Sequence, residues 1–158
     1  MHVLWAPWRM AYIGAAKPVG CIFCAAATAT DRRAHLVLAQ TPALVMLNKF
    51  PYANAHLMVA PRAHVGQLPA LAPDEYRAVM DVLQRTVARL TDALRPDGLN
   101  IGMNLGAAAG AGVVDHLHWH IVPRWIGDTN FMPLIGETRV MPEHLEAVYD
   151  RLQPRFAD

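Results

Sequence analysis

From Asp74 to Leu94 the apolar residues Tyr76, Val79, Met80, Leu83, Val87, Leu90 and Leu94 recur at steps of three and four. That spacing predicts an amphipathic helix with one buried stripe. Pro73 and the acids Asp74 and Glu75 suit its first turn, and Arg95-Pro96 ends it. A shorter helix is predicted from Pro142 to about Leu152, with Leu145, Val148 and Leu152 inward. Elsewhere the pattern shortens to that of strands, at Leu36 to Leu38, Ala43 to Asn48, His56 to Ala60, Leu99 to Met103 and Leu117 to Val122. Turn residues separate them at Thr41-Pro42, Phe50-Pro51 and Asp97-Gly98. Strands in succession with one long helical crossover predict an α+β fold, a mostly antiparallel five-stranded sheet covered on one face by helices.

The last strand carries the chemistry. Side chains alternate along a strand, so His116, His118 and His120 share one face while Leu117, Trp119 and Ile121 take the other. Histidine is neither a strong strand former nor a usual core residue, and three in alternation ask for a ligand. A metal would need imidazoles converging on one point, although side chains two apart lie roughly 6.5–7 Å from one another. A phosphate would instead give each ring its own task, as nucleophile, oxygen contact or tautomer holder. Directly before the strand, Asn104-Leu105-Gly106-Ala107-Ala108-Ala109-Gly110-Ala111-Gly112-Val113 is flexible enough to aim backbone N–H groups at an anion. A metal-activated water remains a third possibility for the histidines.

Cys21-Ile22-Phe23-Cys24 is a second chemical signal. Two thiolates so spaced can share a tetrahedral metal that needs two further ligands, for which histidines are available; a redox pair or packed thiols are the alternatives. Composition narrows the classes. The 158 residues suit one domain, 1–158, with an N-terminal extension over 1–34, a core over 35–125 and a C-terminal segment over 126–158. A net charge of +1, with 17% charged residues, leaves no basic footprint for general nucleic-acid binding. No apolar run approaches the roughly 18–20 residues of a membrane span. Trp5, Pro7, Trp8 and Arg9 break up any signal-peptide core, so a reduced, cytoplasmic setting is expected.

The run His116-Leu117-His118-Trp119-His120, followed by Pro123-Arg124, resembles the histidine triad (HIT) superfamily of nucleotide hydrolases and transferases. Asn48 to His64 is similar to the family's ribose-binding turn and the strand after it. Leu4 to Met10 and Gly127 to Pro133 resemble a bacterial branch close to diadenosine tetraphosphate phosphorylases. The resemblance implies a HIT-like fold and a homodimer. It makes His118 the nucleophile that takes up a nucleotidyl group from an α-phosphate. His120 and His56 would contact phosphate oxygens and Asn48 the ribose; Asn104 and the backbone of Gly110, Gly112 and Val113 would hold the phosphate chain. It also implies structural zinc on Cys21, Cys24, His64 and His116, with His35 a substitute for His64. The implied activity is cleavage of an adenosine-containing dinucleoside polyphosphate, with phosphate or water as acceptor. A low-turnover nucleotide sensor is the alternative, because Val113 stands where many relatives carry a hydroxyl residue.

Overall fold

Leu44–Leu47 and Leu57–Ala60 are apolar at every position because both faces of these strands are covered. The computed structural model describes residues 20–128 and 141–156. Its strands are β1 (Val37–Ala39), β2 (Leu44–Leu47), β3 (Leu57–Ala60), β4 (Gly98–Gly102) and β5 (Trp119–Arg124). They form one antiparallel sheet in the order β1-β2-β3-β5-β4. The α+β expectation holds, with strand ends moved by one or two residues. The largest shift is at β5, which starts at Trp119 rather than Leu117, so that His116 and His118 lie in the extended segment entering the sheet.

Alternation divides the core in two. Val45, Leu47, Leu57, Val59, Trp119 and Ile121 pack on one face with the long helix and the C-terminal helix. Leu44, Met46, Met58 and Ala60 pack on the other with Phe23 and Ala26. Met58 stands opposite His120 and Val59 opposite Trp119. Direct cross-strand partners share a face, so the histidines lie on the Phe23 side and Trp119 on the helix side. Trp119 is thus a core residue.

The helices are α1 (Ile22–Thr28), α2 (Pro73–Leu94) and α3 (Leu145–Leu152). The deepest line of α2 is Val79, Val82, Thr86 and Leu90, rotated slightly from the predicted stripe, and Tyr76 is exposed. Thr86 is buried despite its polar hydroxyl, which hides it from an apolar periodicity. Arg95 closes the helix in the left-handed region, its N–H donating to Thr91 O. Helix α1 was not anticipated: seven residues are too few to display a period, and no side chain caps it. It sets Phe23 beneath the histidines and leaves the two cysteines in its first turn and at its cap. Trp5, Trp8, the segment Leu4 to Met10 and residues 129–133 lie outside the described residues. Among the described residues no helix is long and apolar enough to cross a membrane.

Candidate active site

His118 sits where the chain enters β5, 5% exposed, its ring 4.8 Å from that of Phe23 and 4.9 Å from that of His120. Its Nδ1–H donates to the His116 carbonyl at 2.9 Å. That bond fixes the tautomer of the neutral ring, with its lone pair on Nε2.

A second chain of bonds fixes His120. The Tyr52 N–H, which can only donate, meets His56 Nδ1 at 3.1 Å, and Asn48 Nδ2 reaches the same nitrogen at 3.3 Å. His56 must then carry its proton on Nε2, which donates to His120 Nδ1 at 2.9 Å. His120 is left with Nε2–H as a donor. Burial, followed by the neighbouring His120 and His118, lowers His56 to about 3. Burial and then His118 lower His120 to about 4. Both rings are therefore neutral near pH 7, as the relay requires. His56 is fully buried with both ring nitrogens engaged by the protein, so neither is open to a direct contact with a ligand.

Asn48 is half-buried at the mouth of the same chain, its Oδ1 accepting the Phe50 N–H at 2.9 Å. Tyr52 was not singled out from the sequence. Its ring lies 4.6 Å from that of His56 and 5.5 Å from that of His120, and its position inside the Asn48 to His56 turn was the available signal.

Across the β4–β5 pair Gly102 faces His120, so Asn104, two residues on, leaves the sheet beside the histidines. The loop after it makes a short 3-10 turn at Ala107–Ala109, with Gly106 and Gly110 at positive φ. A Cβ at Gly110 would come within 4.0 Å of Asn104 Nδ2, which places the amide against the loop backbone. Val113 packs against the Phe23 cluster, and Gly112 is exposed. Gly66, also unremarked in the sequence, lies under this segment: a Cβ there would meet Val114 O at 2.6 Å.

Cys21, Cys24, His64 and His116 converge on one point, their ligand atoms all within 4.8 Å of one another. His116 Nδ1 is 3.2 Å from Cys21 Sγ and 3.6 Å from Cys24 Sγ, and His64 Nδ1 is 3.3 Å from Cys24 Sγ. Ligands about 2.0–2.3 Å from a tetrahedral centre stand roughly 3.3–3.8 Å apart, which these three separations approach, and the whole set, within 4.8 Å, needs only a small contraction to hold a metal. His116 Nε2–H donates to Pro61 O at 3.0 Å, which turns Nδ1 toward the cluster. Burial, then the adjacent Cys21, push the Cys24 thiol up, and a bound cation reverses that direction. His35 stands outside the cluster.

The family profile described as HIT domain matches residues 29–125. The chain belongs to the HIT family, a class of nucleotide-processing enzymes. It is 35% identical to a Mycobacterium tuberculosis protein described as "AP-4-A phosphorylase", over 90% of this chain and 77% of that one. A Zn-bound histidine triad family protein from Mycobacterium smegmatis superposes with a TM-score of 0.67 at 28% identity, covering 87% of this chain and 93% of that one. A hypothetical histidine triad nucleotide-binding protein from Sulfolobus tokodaii gives 0.68 at 25% identity, covering 86% and 91%.

Proposed function

We propose that this enzyme cleaves dinucleoside polyphosphates, diadenosine tetraphosphate foremost, through a covalent nucleotidyl-His118 intermediate. The carrying observation is the His118 Nδ1–H bond to the His116 carbonyl, which in the neutral ring puts the lone pair on Nε2, with the His120 ring 4.9 Å away. His118 Nε2 forms a bond to one α-phosphorus as the P–O bond to the remaining polyphosphate breaks, and a nucleoside polyphosphate leaves. The His120 Nε2–H donor stabilises charge on the phosphoryl oxygens, with His56 holding its tautomer. Asn48 contacts the ribose, and Asn104 with the Gly110, Gly112 and Val113 backbone holds the phosphate chain.

A polyphosphate is an acidic leaving group that departs without a proton. Val113, where a hydroxyl residue would serve a poorer leaving group, suits that substrate. Inorganic phosphate then takes the adenylyl group and yields ADP; water in its place would yield AMP. The similarity to the M. tuberculosis phosphorylase supports the first acceptor. The experiment is incubation with diadenosine tetraphosphate with and without phosphate. ADP plus ATP, formed only with phosphate, is the expected result, and no product under either condition overturns the substrate.

Zinc is the metal that a Cys₂His₂ set favours, and the likeness to the Zn-bound M. smegmatis protein supports it. It would draw Cys21, Cys24, His64 and His116 together and fix the backbone whose carbonyl orients His118, a structural role. A homodimer is supported by β4, an edge strand with Ile101 46% exposed and Leu105 47% exposed just beyond it. Such an edge is an open pairing surface. A metal-binding role for Cys21 and Cys24 suits a reduced compartment, and the lack of a basic footprint supports no general nucleic-acid binding.

A further inference from the structure

Cys21 and Cys24 are the only cysteines of the sequence, so a disulfide within the chain has a single pairing. Cys21 is the N-cap of α1, and its carbonyl accepts the Ala25 N–H at 3.1 Å, which closes the first helical turn and brings Cys24 back beside it. The two sulfurs lie within 4.8 Å of each other. Both residues are half-buried rather than sealed in the core, so a small oxidant can reach them. Cys-x-x-Cys spacing serves redox pairs as well as metal ligands. In a metal set the sulfurs are held as thiolates, the form that reacts with an oxidant.

The pair is also tied to the proposed catalytic histidines. Phe23, fully buried between the two cysteines in sequence, has its ring 5.1 Å from that of His116 and 4.8 Å from that of His118. Cys21 Sγ is 3.2 Å from His116 Nδ1, and the His116 carbonyl accepts the His118 Nδ1–H. Joining the two sulfurs withdraws them from the ligand set. His64 and His116 remain, two ligands where a stable tetrahedral site takes four. The same bond pulls on the turn that carries Phe23, against which the His118 ring packs. One covalent change thus reaches His118 by two routes.

We propose that Cys21 and Cys24 form a redox-modification site, at which a hydroperoxide converts the pair to a disulfide, releases the bound metal and unseats His118. With hydrogen peroxide, one sulfur attacks a peroxide oxygen, the O–O bond breaks, and a sulfenic acid forms as water leaves. The second sulfur then attacks the first, the S–S bond forms, the S–O bond breaks, and a second water leaves. Two electrons pass from the sulfurs to the peroxide, and the two protons that complete the waters come from the thiols or, for metal-bound thiolates, from solvent. A dithiol reverses the change by exchange. Where thiols are otherwise held reduced, such a bond is transient and suits a sensor. The loss of turnover rests on the reaction proposed above, whereas the disulfide, the metal release and the response of the His118 ring do not.

The test treats the zinc-loaded full chain with hydrogen peroxide. Intact mass with fragment mapping, zinc captured by a chromogenic chelator, the His118 ring nitrogens by NMR and turnover of diadenosine tetraphosphate are followed together. The expected result is a loss of two hydrogens with Cys21 joined to Cys24, release of about one zinc per chain, and a changed His118 signal. Turnover falls on the order of 10²-fold, and dithiothreitol with zinc restores every reading. The first three responses in a chain without turnover before oxidation support the switch and overturn only the substrate. Thiols that survive peroxide, or a disulfide that leaves the zinc bound or the His118 signal unchanged, overturn the proposal.

Discussion

Substitution of Gly66 by alanine should disturb a remote-looking loop and the chemistry together. The added Cβ would stand 2.6 Å from Val114 O and 2.9 Å from Asp115 Cα, both backbone atoms that no rotamer change can move aside. Ordinary contact begins near 3.4 Å, so the segment just before His116 must retreat by about 0.8 Å. It cannot do so freely, because the Leu117 N–H is bonded to Val65 O at 2.7 Å. Overpacking of this kind costs about 1–3 kcal/mol. For a domain of this size that lowers Tm by about 2–12 °C. The displaced segment carries both the proposed metal ligand His116 and the proposed nucleophile His118, and a misplacement approaching 1 Å can reduce turnover on the order of 10²-fold. Thermal unfolding, metal content and turnover of G66A measure all three. A variant with wild-type values for each would refute the claim that Gly66 seats the histidine segment.

Stability should fall on acidification. His56 has a folded value near 3 against 6.5 when free, so the unfolded chain takes up the proton first as pH drops. Its contribution is complete above pH 6.5 and is lost toward pH 3 at about 1.4 kcal/mol per pH unit, with His120 acting in the same direction. Denaturant titrations at pH 7 and 5 check this, and a flat profile contradicts it. C24A should lower bound metal from about one per chain to far below that, by elemental analysis, with a lower Tm; full occupancy contradicts the cluster. I101E should convert a dimer to a monomer in light scattering, and a wild-type mass rules out pairing along β4.

Much of the fold is legible because periodicity reports burial directly. The α2 stripe, the alternation around His118 and the uniformly apolar β2 and β3 each follow from which faces are covered. Boundaries are less legible: β5 runs through Pro123 to Arg124 because its pairing with β4 continues to Gly98, while the pairing with β3 has already ended at Ile121 and leaves Pro123 unpaired on that side. Helix α1 is too short to declare itself. At the site, residue types announce the histidines and cysteines, whereas backbone partners are invisible in sequence. The carbonyls of His116 and Pro61 and the N–H of Tyr52 set the tautomers of His118, His116 and His56, and only folding brings them into place. His56 illustrates the limit: its position marks it as functional, but both of its nitrogens are occupied by the protein.

The central claim is that His118 Nε2 carries the nucleotidyl group. Rapid acid-free quenching during turnover of diadenosine tetraphosphate, followed by intact-mass and fragment analysis, tests it directly. One adenylyl adduct per chain is expected, located on His118 and absent from H118A, which has no turnover. Wild-type turnover in H118A, or an adduct on another residue, would contradict it.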